Sequence, residues 1–143
     1  MTDERPLTTV LAFDFGLKRI GVAVGQTVSK SASPIGTFSG EPKARQVWVN
    51  QLLREWRPDK LLLGDPVASK ASKSLKREIQ RFAEFLQASG LPLEFVDESM
   101  SSQEASERLR DQRQNGLRRK TRKEDIDAEA ARLIAERWLS IHV

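Results

Sequence analysis

The apolar residues of this chain fall into short uninterrupted runs and longer periodic stretches, which predict strands and helices respectively. Two apolar runs come first, roughly Thr8 to Phe15 and Arg19 to Gly25, and a shorter one follows around Pro34 to Phe38. Because short glycine-containing segments connect them, these runs predict three antiparallel strands. Two more short runs, Lys60–Gly64 and Leu93–Asp97, predict a fourth and a fifth strand.

Helical spacing of apolar residues fills the remaining stretches. Helices are predicted from about Pro42 to Trp56, from 72 to 88, from Ser101 to Asn115-Gly116 and from Thr121 to about Ser140. Capping boxes begin the last two helices. The polar residues 65–74 predict an exposed loop. The order of elements predicts an α/β fold: a mixed five-stranded sheet, three antiparallel strands followed by parallel strands, with helices on both faces.

Length and composition restrict the classes of protein and of metal site. The 143 residues fit one domain over 1–143, and with no Cys and a single His they offer no zinc or iron–sulfur cluster. Any bound metal is therefore expected to be a hard cation held by oxygen. The sequence shows neither a signal-peptide pattern nor an apolar run of membrane-spanning length, so we expect a soluble, cytoplasmic protein.

The first strand contains an aspartate, Asp14, within the run Val10-Leu11-Ala12-Phe13-Asp14-Phe15. Continuous apolar runs are typical of strands buried on both faces. An ionised carboxylate there costs several kcal/mol unless it is paired, hydrogen-bonded or metal-bound. A cation is therefore the first explanation to consider for Asp14.

The last helix carries a second unusual acid. On a helical projection, the apolar stripe shares the direction of Asp127, whereas Asp125 points away. That stripe comprises Ala130, Ala131, Ile134, Trp138 and Ile141. Asp127 could serve a site, or it could simply favour the helix dipole or pair with an arginine.

A third acid comes from the pair Asp97-Glu98 at the end of strand five, where one side chain faces each side of the sheet. Acids at strand ends are usually solvated, so this pair is weak evidence alone. Together with Asp14 and Asp127, it supplies the carboxylates that a two-metal phosphoryl-transfer site requires.

The charge of the chain is unevenly distributed. The net charge is +4, yet eight basic residues and one acid, Asp111, lie between Arg108 and Lys123. We call residues 108–123 the basic segment. It leads directly into the helix that carries Asp127 and predicts a polyanionic partner, although a solvated helix face would look the same.

Three motifs stand out: the first spans Asp14 to Val24, the second joins Val96-Asp97-Glu98 to Ser101-Ser102-Gln103-Glu104-Ala105, and the third is Asp127 with Ala130-Ala131. They resemble those of the bacterial YqgF-type family, whose members are called Holliday junction resolvases or pre-16S rRNA nucleases and have an RNase H-like fold. The resemblance extends from about Val10 to Trp138. Two positions depart from the family pattern: Ser99 stands where an arginine is usual, and Gly64-Asp65-Pro66 replaces a Gly-Leu-Pro turn.

The resemblance implies an endonuclease that hydrolyses phosphodiester bonds with Mg²⁺ or Mn²⁺, with Asp14, Glu98 and Asp127 as catalytic and metal-binding residues. It also implies a role in maturing the 5′ end of 16S rRNA, and thus in ribosome biogenesis. The expected nucleic-acid-binding residues are basic: Lys18, Arg19, Lys70, Lys73, Arg113, Arg118, Arg119, Lys120, Arg122 and Lys123. The expected partners are precursor rRNA or branched DNA, with the small ribosomal subunit as a further candidate.

Three alternatives remain open at this point. Branched DNA could be the substrate, and symmetric cleavage of a four-way junction would require a two-fold dimer, although the sequence does not reveal the oligomeric state. A non-catalytic RNA- or ribosome-binding module could keep the same fold. An ATPase of the actin and sugar-kinase type has a similar strand turn, but such enzymes close two domains over the nucleotide, for which one domain is too short.

Overall fold

A computed structural model describes residues 9–65, 72–97 and 123–142, with side chains described at 9–65, 72–97 and 126–141. The strands are β1 (Thr9–Phe15), β2 (Arg19–Gln26), β3 (Ser31–Ser39), β4 (Lys60–Asp65) and β5 (Leu93–Asp97). The helices are α1 (Pro42–Trp56), α2 (Lys73–Gln87) and α3 (Lys123–His142). Among these residues, no helix is both long and apolar enough to cross a membrane.

The five strands form one sheet in the order β3-β2-β1-β4-β5. β1 pairs antiparallel with β2, and β2 with β3, whereas β1 and β4, and β4 and β5, are parallel. The predicted mixed sheet is therefore confirmed. β1 lies at the centre, and its residues from Val10 to Phe13 are fully buried, because helices cover both faces.

Alternate residues of β1 pack into two different cores. Leu11, Phe13 and Phe15 join the core beneath α1 and α2, whereas Val10 and Ala12 join the core beneath α3. By the same alternation, Asp14 belongs to the α3 face of the sheet. The prediction of helices on both faces is confirmed.

Most element boundaries follow the predictions, with three differences. β3 begins at Ser31 rather than near Pro34, and the predicted loop at 65–74 is shorter, because Asp65 ends β4 and Lys73 begins α2. Ser72 caps α2 by accepting a hydrogen bond from the Leu75 amide over 3.0 Å. The helix predicted from Ser101 to Asn115-Gly116 lies outside the described residues.

The third difference concerns the apolar stripe of α3. Ala130, Ala131, Ile134 and Trp138 are buried as predicted. Ile141, however, is 72% exposed. Its assignment to the core-facing stripe was wrong, because helical periodicity extends past the point where the sheet can cover the helix.

Candidate active site

A cleft of about 470 Å³ opens at the carboxyl end of β1. It is lined by Asp14 and the residues that follow it through the β1–β2 turn, by Leu75 from the first turn of α2, and by Asp127 from α3. Ligand crevices in open α/β sheets lie outside the carboxyl ends of parallel strands, and β1 is parallel to β4 here. Two of the three predicted catalytic acids therefore share one cleft.

The backbone of α3 reaches this cleft through a glycine. Gly21 is the partner of Asp14 across the β1–β2 ladder. A Cβ atom built on Gly21 would lie 2.1 Å from the carbonyl oxygen of Asp127, closer than any side chain permits. The absence of a side chain at Gly21 thus lets α3 bring Asp127 beside the strand pair that carries Asp14.

The Asp127 side chain is fixed by Arg19, which lies on β2, the strand that also carries Gly21. Arg19 Nε donates a hydrogen bond to Asp127 Oδ2 over 2.6 Å, and the two side chains are 29% and 21% exposed. The arginine pair considered for Asp127 from the sequence is therefore present. Because this ion pair lies inside the cleft, it is compatible with both explanations of Asp127: a structural ion pair and a role in the site.

A buried arginine on the other face of the sheet supports the turn after Asp14. Arg45 is 7% exposed, and its guanidinium donates hydrogen bonds to the carbonyl oxygens of Gly16 and Leu17, in the β1–β2 turn, and of Gly40. It also lies 5.6 Å from the centroid of the Phe15 ring. Burial lowers the pKa of Arg45, an effect that nearby Glu78 partly offsets, yet an arginine remains charged at any ordinary pH.

Sequence reasoning missed Arg45. The signal was its spacing from Val49 and Leu52, which lie on the buried stripe of α1. An arginine in register with a buried apolar stripe indicates a guanidinium that finds hydrogen-bond acceptors inside the protein.

The third predicted acid, Glu98, lies outside the described residues, and Asp97 is the last residue of β5. α3 is joined to this strand end because Arg137 donates to the Asp97 carbonyl oxygen. On β5, Val96 belongs to the core beneath α3, and Glu94 accepts a hydrogen bond from Trp138 of α3. Positions 94 and 96 therefore face the same side of the sheet as Asp14.

The predicted nucleic-acid-binding residues divide into described and undescribed ones. Lys18 is exposed and lines the cleft beside Arg19, and Lys73 is exposed at the first residue of α2. Lys123 begins α3, but its side chain is outside the described set. Also outside it are Lys70, Arg113, Arg118, Arg119, Lys120 and Arg122.

The donor chemistry of the cleft fits a hard divalent cation. Carboxylate oxygens are the ligands that Mg²⁺ and Mn²⁺ prefer, and Asp14 and Asp127 contribute them from two elements. Within the described residues no group of three or more acidic or imidazole side chains is assembled for a metal.

Comparison with known proteins supplies a family match over nearly the whole chain. A family model described as "RuvX: Holliday junction resolvase" matches residues 8–141. A protein of Nitrosococcus oceani is 42% identical over 136 residues, which cover 92% of this chain and 86% of that protein. A protein of Dechloromonas aromatica is 41% identical over 133 residues, covering 91% of this chain and 89% of that protein. Both are named "Putative pre-16S rRNA nuclease".

Two solved structures with a similar fold are described as complexes with Holliday junctions. RuvC of Thermus thermophilus in complex with a Holliday junction substrate has a TM-score of 0.62 at 15% identity and covers 94% of this chain and 96% of its own. The Fowlpox virus resolvase in complex with Holliday junction DNA has a TM-score of 0.56 at 15% identity and covers 92% and 99%. Likeness at this identity concerns the fold, and it confirms the predicted RNase H-like architecture.

Proposed function

The chain belongs to the RuvX family, the YqgF type, and from that premise we propose that it is a metal-dependent endonuclease hydrolysing phosphodiester bonds. We propose that its substrate is the precursor of 16S rRNA, which is the molecule named in the two curated relatives. The cut would form the mature 5′ end and serve ribosome biogenesis in the cytoplasm.

The observation that carries this proposal is the shared cleft of Asp14 and Asp127. Asp14, next to the last residue of β1, and Asp127 on α3 are both half-buried, and two carboxylates that line one cleft repel each other. A binding module would gain nothing from such an arrangement. A nuclease that holds divalent cations needs it.

The proposed mechanism gives a role to each charged residue of the cleft. We propose that Asp14, Asp127 and Glu98 hold one or two divalent cations, which when bound activate the attacking water and stabilise the leaving oxygen. Asp14 is fixed by the central strand, and Asp127 by the contact of its backbone with Gly21. Lys18 and Arg19, on the turn and at the start of β2, would orient the substrate phosphate.

Glu98 rather than Asp97 is the expected third ligand. Alternation along β5 puts 94 and 96 on the α3 face, the face to which Asp14 belongs. The family resemblance points to Glu98, which follows directly after β5. Mutation of each acid separately would test this choice.

Substrate affinity is proposed to come from phosphate contacts. Lys73 at the start of α2 would extend the contacts of the cleft, and Lys70, Arg113, Arg118, Arg119, Lys120, Arg122 and Lys123 would bind more distant phosphates. Such contacts fix the orientation of the nucleic acid without reading its sequence. The small ribosomal subunit is a further proposed partner, because it contains the substrate RNA.

Branched DNA is a second candidate substrate, since two structures of the same fold are described in complex with Holliday junctions. The deciding experiment incubates the protein with a fragment spanning the 5′ end of 16S rRNA and, in parallel, with a synthetic four-way junction. Each reaction is run with Mg²⁺, with Mn²⁺ and with a chelator. We expect metal-dependent cleavage of the RNA at one position. Cleavage of the junction alone would favour the resolvase, and tight binding without cleavage of either would favour the non-catalytic module.

A further inference from the structure

Asp127, a proposed metal ligand in the cleft, forms an ion pair with Arg19. Arg19 Nε donates to Asp127 Oδ2 over 2.6 Å, and both side chains keep partial exposure. Arg19 and Gly21 lie on the same face of β2, because they alternate along the strand. Arg19 thus fixes the side chain of Asp127, and Gly21 contacts its backbone.

The pair has an electrostatic consequence that exceeds its contribution to stability. Partly exposed ion pairs add little to folding stability, because solvent screens them and both side chains lose freedom. Within the cleft, however, the guanidinium charge lies a few ångströms from any cation bound by the same carboxylate. At roughly 5 Å, a unit charge still repels a divalent cation appreciably, even in a medium as polar as water.

We propose that Arg19 is the internal counter-charge of this cleft: it neutralises Asp127 when no divalent cation is bound and gives up Asp127 Oδ2 when one binds. This inference rests on the proposed metal-dependent function. Arg19 thereby sets the metal affinity of the site, and once it has left Asp127 its whole guanidinium can donate to a substrate phosphate. In metal binding Arg19 is a positioning residue, since it acts through Asp127.

The sign of the effect follows from two opposing contributions. Without Arg19 the side chain of Asp127 is no longer held in one rotamer, and the entropy lost when a metal fixes it weakens metal binding by a small factor. Removing the guanidinium charge abolishes its repulsion of a divalent cation at roughly 5 Å, which strengthens metal binding by about tenfold. The charge contribution is the larger, so loss of Arg19 should tighten metal binding rather than weaken it.

The test measures Mn²⁺ affinity from the electron paramagnetic resonance signal of free Mn²⁺, without nucleic acid. Arg19→Gln should tighten binding about tenfold, whereas Arg19→Lys, which keeps the charge, should stay within about threefold of the original protein. The matched control is Lys18→Gln, which removes the same formal charge from the adjacent, exposed residue of the same cleft. Screening at 0.15 M salt should keep its effect below about threefold.

A second measurement uses the unsubstituted protein and so does not depend on any variant folding. The ¹H–¹⁵N signal of Arg19 Nε should shift during a Mg²⁺ titration as the bond to Asp127 breaks. Weaker Mn²⁺ binding in Arg19→Gln, equal tightening in Lys18→Gln, or an Nε signal unchanged at saturating Mg²⁺ would each overturn this inference while leaving the proposed function intact. If the original protein does not bind Mn²⁺, or if Asp14→Asn binds it equally tightly, the proposed metal site itself is wrong, and the inference fails with it.

Discussion

The face of the sheet covered by α1 and α2 packs aromatic rings against the strands, whereas the face covered by α3 combines aliphatic side chains and Trp138 with alanines and glycines. Phe13 and Phe15 contact Phe82 of α2 on the first face, with ring centroids 5.6 Å and 5.0 Å apart. On the second face, the inward positions include Ala12 of β1 and Ala135 of α3. The helix α3 lies closer to β1, β2 and β3 than α1 or α2 lies to the sheet, and Gly21 and Gly25 leave room for it.

This difference shows how one fold separates stability from chemistry. Apolar volume stabilises, and most of it lies on the α1–α2 face. On the α3 face, the close approach of the helix to the sheet positions the site. It brings the backbone of α3 against Gly21 and the carboxylate of Asp127 into the cleft of Asp14. Trp138 anchors the other end of α3, where its Nε1 donates to Glu94 over 3.1 Å.

The largest expected effect comes from removing one charge on the α3 face. Asp14→Asn should reduce cleavage about a thousandfold, because a proposed metal ligand is lost while every basic contact remains. That factor corresponds to about 4 kcal/mol of transition-state stabilisation. Thermal unfolding in chelator should stay unchanged or improve, since repulsion between carboxylates is relieved. Undiminished Mg²⁺-dependent turnover would contradict the assignment of Asp14.

The opposite result is expected on the α1–α2 face. Phe82→Ala should lower the free energy of unfolding by about 3 kcal/mol, because it leaves a cavity among three rings. Mn²⁺ affinity of the folded protein should not change. Phe85→Ala is the matched control, with the same chemical change at a half-buried site, and its cost in a urea titration should be clearly smaller. Equal costs would contradict a core centred on Phe82.

Patterns along the chain predicted the central elements well, because burial leaves a continuous signal. The apolar run of β1 and the helix at Pro42–Trp56 were predicted with nearly the observed bounds. β3 was predicted too short, since an edge strand with many half-exposed residues carries little alternation. The end of α3 was misjudged at Ile141, because periodicity does not reveal where a neighbouring layer stops.

The carboxylates of the site could be selected from the sequence, but their partners could not. Asp14 and Asp127 were identified because each interrupts an apolar pattern, and the cleft contains both. The contact of Arg19 with Asp127 joins residues 108 positions apart, and no spacing rule predicts it. Assignment of the catalytic role to Asp14, Glu98 and Asp127 stays a prediction until each acid is mutated.

A glycine pair measures the value of close approach itself. Gly21→Ala should destabilise the protein by about 2 kcal/mol, because its Cβ would meet the backbone of Asp127 and α3 would have to move. Mn²⁺ affinity should fall as well, since Asp127 moves with the helix. Gly36→Ala on β3 is the control, because no atom lies within 4 Å of the added Cβ. Its stability should equal or slightly exceed that of the original protein. If Gly21→Ala changes neither stability nor Mn²⁺ affinity, α3 is not held against β2.

The smallest expected effect tests the link between the two faces. Arg45 reaches from α1 to the carbonyl oxygens of Gly16 and Leu17, so it fixes the turn that follows Asp14. Arg45→Lys keeps the charge but cannot donate to three carbonyls in the same fork geometry, and it should cost about 1 kcal/mol. Arg54→Lys, an exposed change in the same helix, should cost almost nothing. Because the turn lines the cleft, Arg45→Lys should also weaken Mn²⁺ binding by a few-fold, whereas Phe82→Ala should not. If Arg45→Lys lowers stability and leaves Mn²⁺ affinity unchanged, the α1–α2 face contributes stability alone, and the separation between the faces is complete.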